Sequence, residues 1–192
     1  MGLKQRLSKI IVVTAIAGFV GLGLTPVVSF TENANATTIK TENSQTAVKN
    51  INEIYNAAIK GTMPRLPISL KIGKNNRTDV RNQFGLPPKG TTGEFDYYHA
   101  EMGHPGYAFG YDKKGVISEI RYFGTNVERQ TNLGSITENN LKKELGKPNF
   151  INKFKSGDIK QTKYTYHAGA YDLEFIFNNV KTLDHVNVIP KS

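Results

Sequence analysis

One short pattern occurs twice in this chain, and it limits the folds open to it. Residues 72 to 87 read IGKNNRTDVRNQFGLP and residues 133 to 148 read LGSITENNLKKELGKP. At a constant offset of 61, Ile72 matches Leu133, Gly73 matches Gly134, Val80 matches Leu141, Phe84 matches Leu145, Gly85 matches Gly146 and Pro87 matches Pro148. Each copy reads as one short helix of about eight residues. Asn76 and Thr137 stand where a side-chain oxygen can accept from the unpaired N–H groups of a first turn. The pairs Val80/Phe84 and Leu141/Leu145 are four apart and meet on one helix face. Gly85 and Gly146 then accept the positive φ of a C-terminal cap, and the prolines two residues later forbid resumption. Helices this short need a sheet to lean on.

The segments after each helix carry the strand period. Phe95, Tyr97 and His99 alternate with Asp96 and Tyr98. Tyr107, Phe109 and Tyr111 share a face, Asp112-Lys113-Lys114-Gly115 signals a turn, and Val116 to Phe123 is the partner strand. The second copy offers Lys163 to His167, Tyr171 to Phe177 and Leu183 to Ile189. Ile117, Ile120, Tyr122 and Phe123 correspond to Leu183, Val186, Val188 and Ile189 at an offset of 66. Ahead of both copies, Val48, Ile51, Tyr55, Ala58 and Ile59 form an apolar stripe on a helix that Ser44 caps and Gly61 ends. The expected fold class is α+β: a lead helix and tandem duplicated helix-plus-antiparallel-sheet units, at about 68–125 and 129–190, within one globular domain spanning 45–192.

The N-terminus reads as a targeting segment. Lys4, Arg6 and Lys9 precede the apolar stretch Ile10 to Leu24, and Ala34-Asn35-Ala36 offers small residues for cleavage. Residues 1–36 are therefore expected to be a signal peptide and 37–44 a flexible lead-in. The apolar stretch is shorter than the roughly 20 residues that span a bilayer, so no membrane span is expected after cleavage. Removing Lys4, Arg6, Lys9 and Glu32 lowers the formal charge from +9 to +7. The chain has no cysteine, which excludes a lipid-modified cysteine anchor. Its charge favours anionic surfaces such as cell-wall polymer, with nucleic acid the least favoured for an exported protein. A secreted location is expected, with association to the cell wall as its alternative form.

Catalytic signals are sparse. His99, Glu101 and His104 form the one metal-like grouping, yet zinc wants three or four convergent ligands. A second arrangement would join His99 to His167 across the duplication. No Gly-x-Ser-x-Gly elbow is present, and the glycines around Gly103 and Gly106 lack the phosphate-loop pattern, so no cofactor is expected. Asp96, Glu101, Asp112 and Glu119 are the carboxylates open to acid/base work. The tract Glu94 to Tyr111 is the richest in aromatics, and Tyr combines large contact area with a polar tip. Tyr98, His104, Tyr107, Tyr111 and Arg121 are the expected binding surface, with Arg129 as a further basic neighbour.

The strings Tyr55-Asn56-Ala57, Lys60-Gly61-Thr62-Met63-Pro64, Met102-Gly103-His104-Pro105-Gly106-Tyr107 and Ile117-Ser118-Glu119-Ile120-Arg121-Tyr122-Phe123-Gly124-Thr125 carry a resemblance. So do Val127-Glu128-Arg129-Gln130, Asn132-Leu133-Gly134 and Asp184-His185-Val186-Asn187. In these the chain resembles the YjgB-like family of exported proteins of bacilli, whose shared region is a domain of unknown function. More remotely, two helix-then-strands units resemble the beta-lactamase-inhibitor-protein type of repeat, without the cysteines that staple it. That second resemblance implies action by protein contact through sheet aromatics. The leading expectation is a non-catalytic protein-interaction module of the cell envelope. Electrostatic retention on an anionic wall polymer, or a small metal-dependent or carboxylate-based hydrolase, are the alternatives.

Overall fold

The computed structural model describes residues 31–67, 69–88, 93–101, 103–125, 133–179 and 182–192. Residues 1–30, with the n-region and apolar stretch of the expected signal peptide, and Arg129 lie outside the described residues. The elements run α1 Thr31–Ala58, α2 Arg77–Phe84, β1 Phe95–Tyr98, β2 Gly106–Tyr111 and β3 Ile117–Gly124. A 3-10 turn at Leu133–Ser135 precedes α3 Glu138–Leu145, then β4 Phe150–Ser156, β5 Ile159–Ala168, β6 Tyr171–Asn179 and β7 Thr182–Pro190. The fold is α+β. The seven strands form one sheet in the order β1-β2-β3-β7-β6-β5-β4, and every neighbouring pair is antiparallel.

The two short helices form for the local reasons their sequences give. Asn76 accepts from the N–H groups of Thr78 (2.8 Å) and Asp79 (3.1 Å), and the Asp79 carboxylate accepts the Asn76 N–H in return. Thr137 accepts from the Asn140 N–H at 3.2 Å. Gly85 (φ 78°) and Gly146 (φ 80°) close the helices, a backbone that any side chain would strain. Their N–H groups donate to Arg81 O and Lys142 O. Val80 and Leu141 are fully buried, and Phe84 and Leu145 pack beside them.

α1 is longer than expected. It runs unbroken over Thr31–Ala58, a stretch without glycine or proline. The expected lead-in at 37–44 is helical, and exposed Ser44 lies inside the helix rather than at its cap. Its buried stripe is Ala47, Ile51, Ile54 and Ala58, whereas Ile59, one residue beyond the end, is 43% exposed.

All three helices share one continuous core with a single sheet face. Tyr107 and Phe109, Ile120 and Tyr122, Val186 and Val188, Leu173 and Phe175, and Tyr164 and Tyr166 stand on that face in cross-strand register. β1 adds one polar member. Asp96 is 0% exposed; it accepts from Arg81 Nε (2.9 Å) and Nη2 (3.0 Å) of α2 and from the Tyr111 hydroxyl (3.2 Å). The carboxylate holds the Arg81 guanidinium above its ordinary pKa. This bidentate pair ties α2 to the edge of the sheet.

Removing Arg81 leaves the Asp96 carboxylate buried without its cation, whereas Arg81 itself reaches solvent. Arg81→Ala is therefore expected to lower the unfolding midpoint more than Asp96→Ala, with the double substitution costing less than the two added. Denaturant unfolding of the four proteins measures the coupling, and full additivity would deny it.

Candidate functional site

Because side chains alternate along a strand, the sheet has a second face, which none of the helices among the described residues covers. A cleft of about 620 Å³ lies there, reaching from Tyr97 of β1 across the sheet to Phe154 and Ser156 of β4. One cross-strand row runs the full width of the sheet on this face. Tyr97 pairs with Ala108, Ala108 with Arg121, Arg121 with Asn187, Asn187 with Glu174, Glu174 with Thr165 and Thr165 with Phe150.

The middle of this face is polar. Arg121 Nε donates to Glu119 Oε1 at 2.7 Å, and Lys163 Nζ to Glu174 Oε1 at 2.6 Å. Gln161 donates to Asn178 (2.6 Å) and Asn178 to Asp184 Oδ1 (2.7 Å), while His185 Nδ1 lies 2.6 Å from Asp184 Oδ2. Three carboxylates thus stand against Arg121, Lys163 and the His185 imidazole. Asn187 is 7% exposed; its Nδ2 donates to Glu174 Oε2 at 3.4 Å, but its Oδ1 is buried with no hydrogen-bond partner. An orphaned acceptor on a cleft floor costs the free protein stability and offers a place for a donor.

Aromatic rings frame one side. Phe95 lies 5.9 Å from Tyr97, Tyr97 6.4 Å from Phe123, and Phe123 5.5 Å from the His185 ring. The Arg121 guanidinium sits 3.9 Å from the Phe95 ring centre. Gly110 makes this possible: a Cβ there would lie 2.7 Å from the Phe95 ring.

Of the five expected binding residues, Arg121 is the one that lines this cleft. Tyr107 is 2% exposed and its hydroxyl donates to Pro64 O at 2.6 Å, so it is a core residue. Tyr98 packs on Phe84 with ring centres 5.0 Å apart and donates to Gly85 O at 2.9 Å. Burial, then the Asp96 charge, pushes its pKa up to about 12. Tyr111 lies under Arg77 and donates to Asp96. Burial raises the Tyr107 and Tyr111 hydroxyls as well. These tyrosines stand on the helix side because their parity matches Phe109, while Phe95 and Tyr97 have the opposite parity. His104 is exposed and is not one of the residues lining the cleft; its N–H donates to Glu101 O at 2.7 Å.

The metal grouping does not assemble. His99, Glu101 and His104 are all exposed, and among the described residues no three His, Cys, Asp or Glu side chains come together to hold a metal ion. His167 stands on β5, five strand spacings or about 24 Å from β1, and its Nδ1 lies 2.6 Å from Asp172 Oδ1. Of the carboxylates weighed for acid/base work, Asp96 holds Arg81 and Asp112 accepts from the N–H groups of Lys114 and Val116 in a turn. Glu119 alone faces the cleft.

The fold and cleft define a class: a single-sheet α+β protein with helices on one face and a polar, aromatic-rimmed hollow on the other. The chain belongs to the DUF4309 family, whose model, described as "Domain of unknown function (DUF4309)", matches residues 51–189. It is 40% identical over 193 residues to "Uncharacterized protein YjgB" of Bacillus subtilis (strain 168), spanning 98% of this chain and 100% of that protein. A crystal structure of a DUF4309 family protein (YjgB) from Bacillus subtilis subsp. subtilis str. 168 matches with a TM-score of 0.70 at 43% identity, covering 77% of this chain and 99% of that one. The resemblance read from the motifs is therefore a family relationship. An extracellular protein containing a SCP domain from Bacillus anthracis str. Ames reaches a TM-score of 0.42 at 12% identity, over 62% of this chain and 44% of that one.

Asn187→Leu keeps the side chain's size, removes the orphaned acceptor and gives up the long 3.4 Å bond to Glu174, whose carboxylate keeps Lys163. The free protein is expected to gain about 1 kcal/mol, measured as a rise in unfolding midpoint. A loss of that size would mean that Asn187 serves the fold.

Proposed function

We propose that this chain is an exported, non-catalytic binding module that takes a protein of the cell envelope on the uncovered face of its sheet. The observation that carries this reading is the one-sided helix layer, which leaves a hollow of about 620 Å³ rimmed by Tyr97, Phe123 and Phe154 with an unpartnered acceptor on its floor. Aromatic side chains and arginine are the residues that most often dominate protein binding. Retention by wall-polymer charge is less well supported here, since the cleft's cations stand against its own carboxylates.

Export rests on residues 1–36. Among the described residues, no helix is long and apolar enough to cross a membrane. A cut after Ala36 falls within α1 and ahead of Ala47, Ile51, Ile54 and Ala58, so these core residues stay in the mature chain. N-terminal sequencing of the protein from culture fluid is expected to begin at Thr37, and recovery of an intact Met1 in the membrane fraction would refute cleavage.

We read the two helix-led halves as copies of one unit, in the manner of the beta-lactamase-inhibitor type. Their matched caps support this, as does the antiparallel pairing of their last strands with Arg121 opposite Asn187, two positions equated by the offset of 66.

Affinity capture from envelope and secreted fractions tests the binding reading. Tyr97→Ala and Phe123→Ala, neither in the helix-side core, are each expected to weaken capture of a saturable protein partner by about tenfold or more. Capture that is unaffected by both, or that vanishes in high salt, would sink this use of the cleft.

A further inference from the structure

The two edges of the sheet are unlike. β1 has four residues, whereas β4 has seven, all exposed, and pairs with β5 in unbroken register from Phe150↔Thr165 to Ser156↔Ile159. β4 carries no proline and that register has no bulge, so it lacks two common guards of an edge. Its outer side is a row of backbone donors and acceptors.

The hairpin's two faces differ in chemistry. Phe154 and Ser156 line the cleft with Gln161 and Lys163, which places Phe150, Asn152 and Ile159 on the same side by alternation. Phe150 is 55% exposed, Phe154 40% and Ile159 51%. The opposite side carries Lys153, Lys155 and Lys160, with Ile151 further along. Lys155 and Lys160 face each other directly, a like-charge pair that an anion would relieve. Lys153 feels Glu138 at the start of α3, but that carboxylate is held chiefly by Lys142, whose hydrogen bond lowers its pKa.

We propose that the free edge of β4 docks an extended segment of a partner protein in which acidic side chains alternate with apolar ones. Added as an eighth strand, such a segment sets its apolar residues beside Phe150 and Phe154 and its carboxylates beside Lys153 and Lys155. Main-chain hydrogen bonds hold the strand, and the alternation sets its register. A second copy of this chain is the poorer occupant: antiparallel self-pairing centred on Lys153 sets lysine against lysine at the two-fold axis. The proposal rests on the binding-module reading only in taking the partner to be a protein, and it concerns an edge rather than the cleft floor.

The test uses the purified protein with a fluorescent nine-residue peptide alternating valine and glutamate, and a shuffled peptide of equal composition. Saturable binding is expected for the alternating peptide alone, with slowed amide exchange confined to Phe150–Ser156. Lys153→Glu/Lys155→Glu/Lys160→Glu is expected to weaken it by about tenfold or more and to transfer the preference to a valine/lysine peptide. Should that triple variant unfold, Phe154→Ala and exchange in the unaltered protein carry the same test. Equal binding of the shuffled peptide, binding without protection of β4, or a β4-paired dimer that the peptide does not dissociate would each overturn the proposal. Asn187→Leu leaves peptide binding unchanged if the edge is the site; loss in that variant would place the peptide in the cleft and also overturn it. Failure of the peptide, with cleft variants still losing the captured partner, would leave the open-face reading standing.

Discussion

The antiparallel seam between β3 and β7 is the constraint on which the rest of the molecule depends. β1, β2 and β3 form one meander and β4 to β7 another, and the sheet joins them where Ile120 meets Val188, Arg121 meets Asn187 and Tyr122 meets Val186. The alternation across this seam sends Ile120, Tyr122, Val186 and Val188 into the core that the helices cover. It sends Arg121 and Asn187 to the other face, at the middle of the cleft. Either meander alone is a small unit with few buried side chains, and a domain of that size is marginal. Joined, they bury Phe109 and Phe175 in one cluster under three helices. The same register therefore makes the core continuous and makes the cleft.

The cleft is built against the economy of the fold. Thr165, Glu174 and Asn187 are buried polar residues on a face where apolar side chains would be cheaper. The Glu174 carboxylate is paired, with Lys163 on one oxygen and Asn187 on the other, and beside it runs a separate polar chain from Gln161 to His185. Asn187 Oδ1 is the exception. Unsatisfied buried groups in folded proteins ask for a reason, and a ligand-facing position is one. Asp96, on the helix side, is the contrast: three donors meet its carboxylate, and it serves only to fasten α2.

How far these features were legible in the sequence depended on whether their physics is local. Helix caps are local: Asn76, Thr137, Gly85 and Gly146 were read correctly because a side-chain oxygen and a positive φ act within four residues. The hairpin at Asp112 was legible for the same reason. The full length of α1 was not, since Thr31 to Asn43 carries no apolar stripe. β4 was missed because both its faces are exposed and the alternation, broken by the like neighbours Phe150-Ile151 and Asn152-Lys153, runs only from Lys153 to Lys155; the Ser156-Gly157 turn between Phe154 and Ile159 was the available signal. The aromatic tract was recognised, but its facing was inverted. Tyr98, Tyr107 and Tyr111 went to the core and Phe95 and Tyr97 to the cleft, and only the pairing with Phe109 and Gly110 decides that.

That inversion follows from the sizes of the side chains on β2. One face of β2 presents Tyr107 and Phe109, and the other presents Ala108 and Gly110. A concave face needs small residues where its walls approach, and Gly110 leaves the space in which Phe95 covers the Arg121 guanidinium. The large residues have to fill the gap between sheet and helices, where Phe84 meets Tyr98, Tyr107 and Phe109. Aromatic density alone thus points to either face. What distinguishes them is the partner across the strand: rings opposite rings build a core, whereas rings opposite glycine and alanine border a hollow.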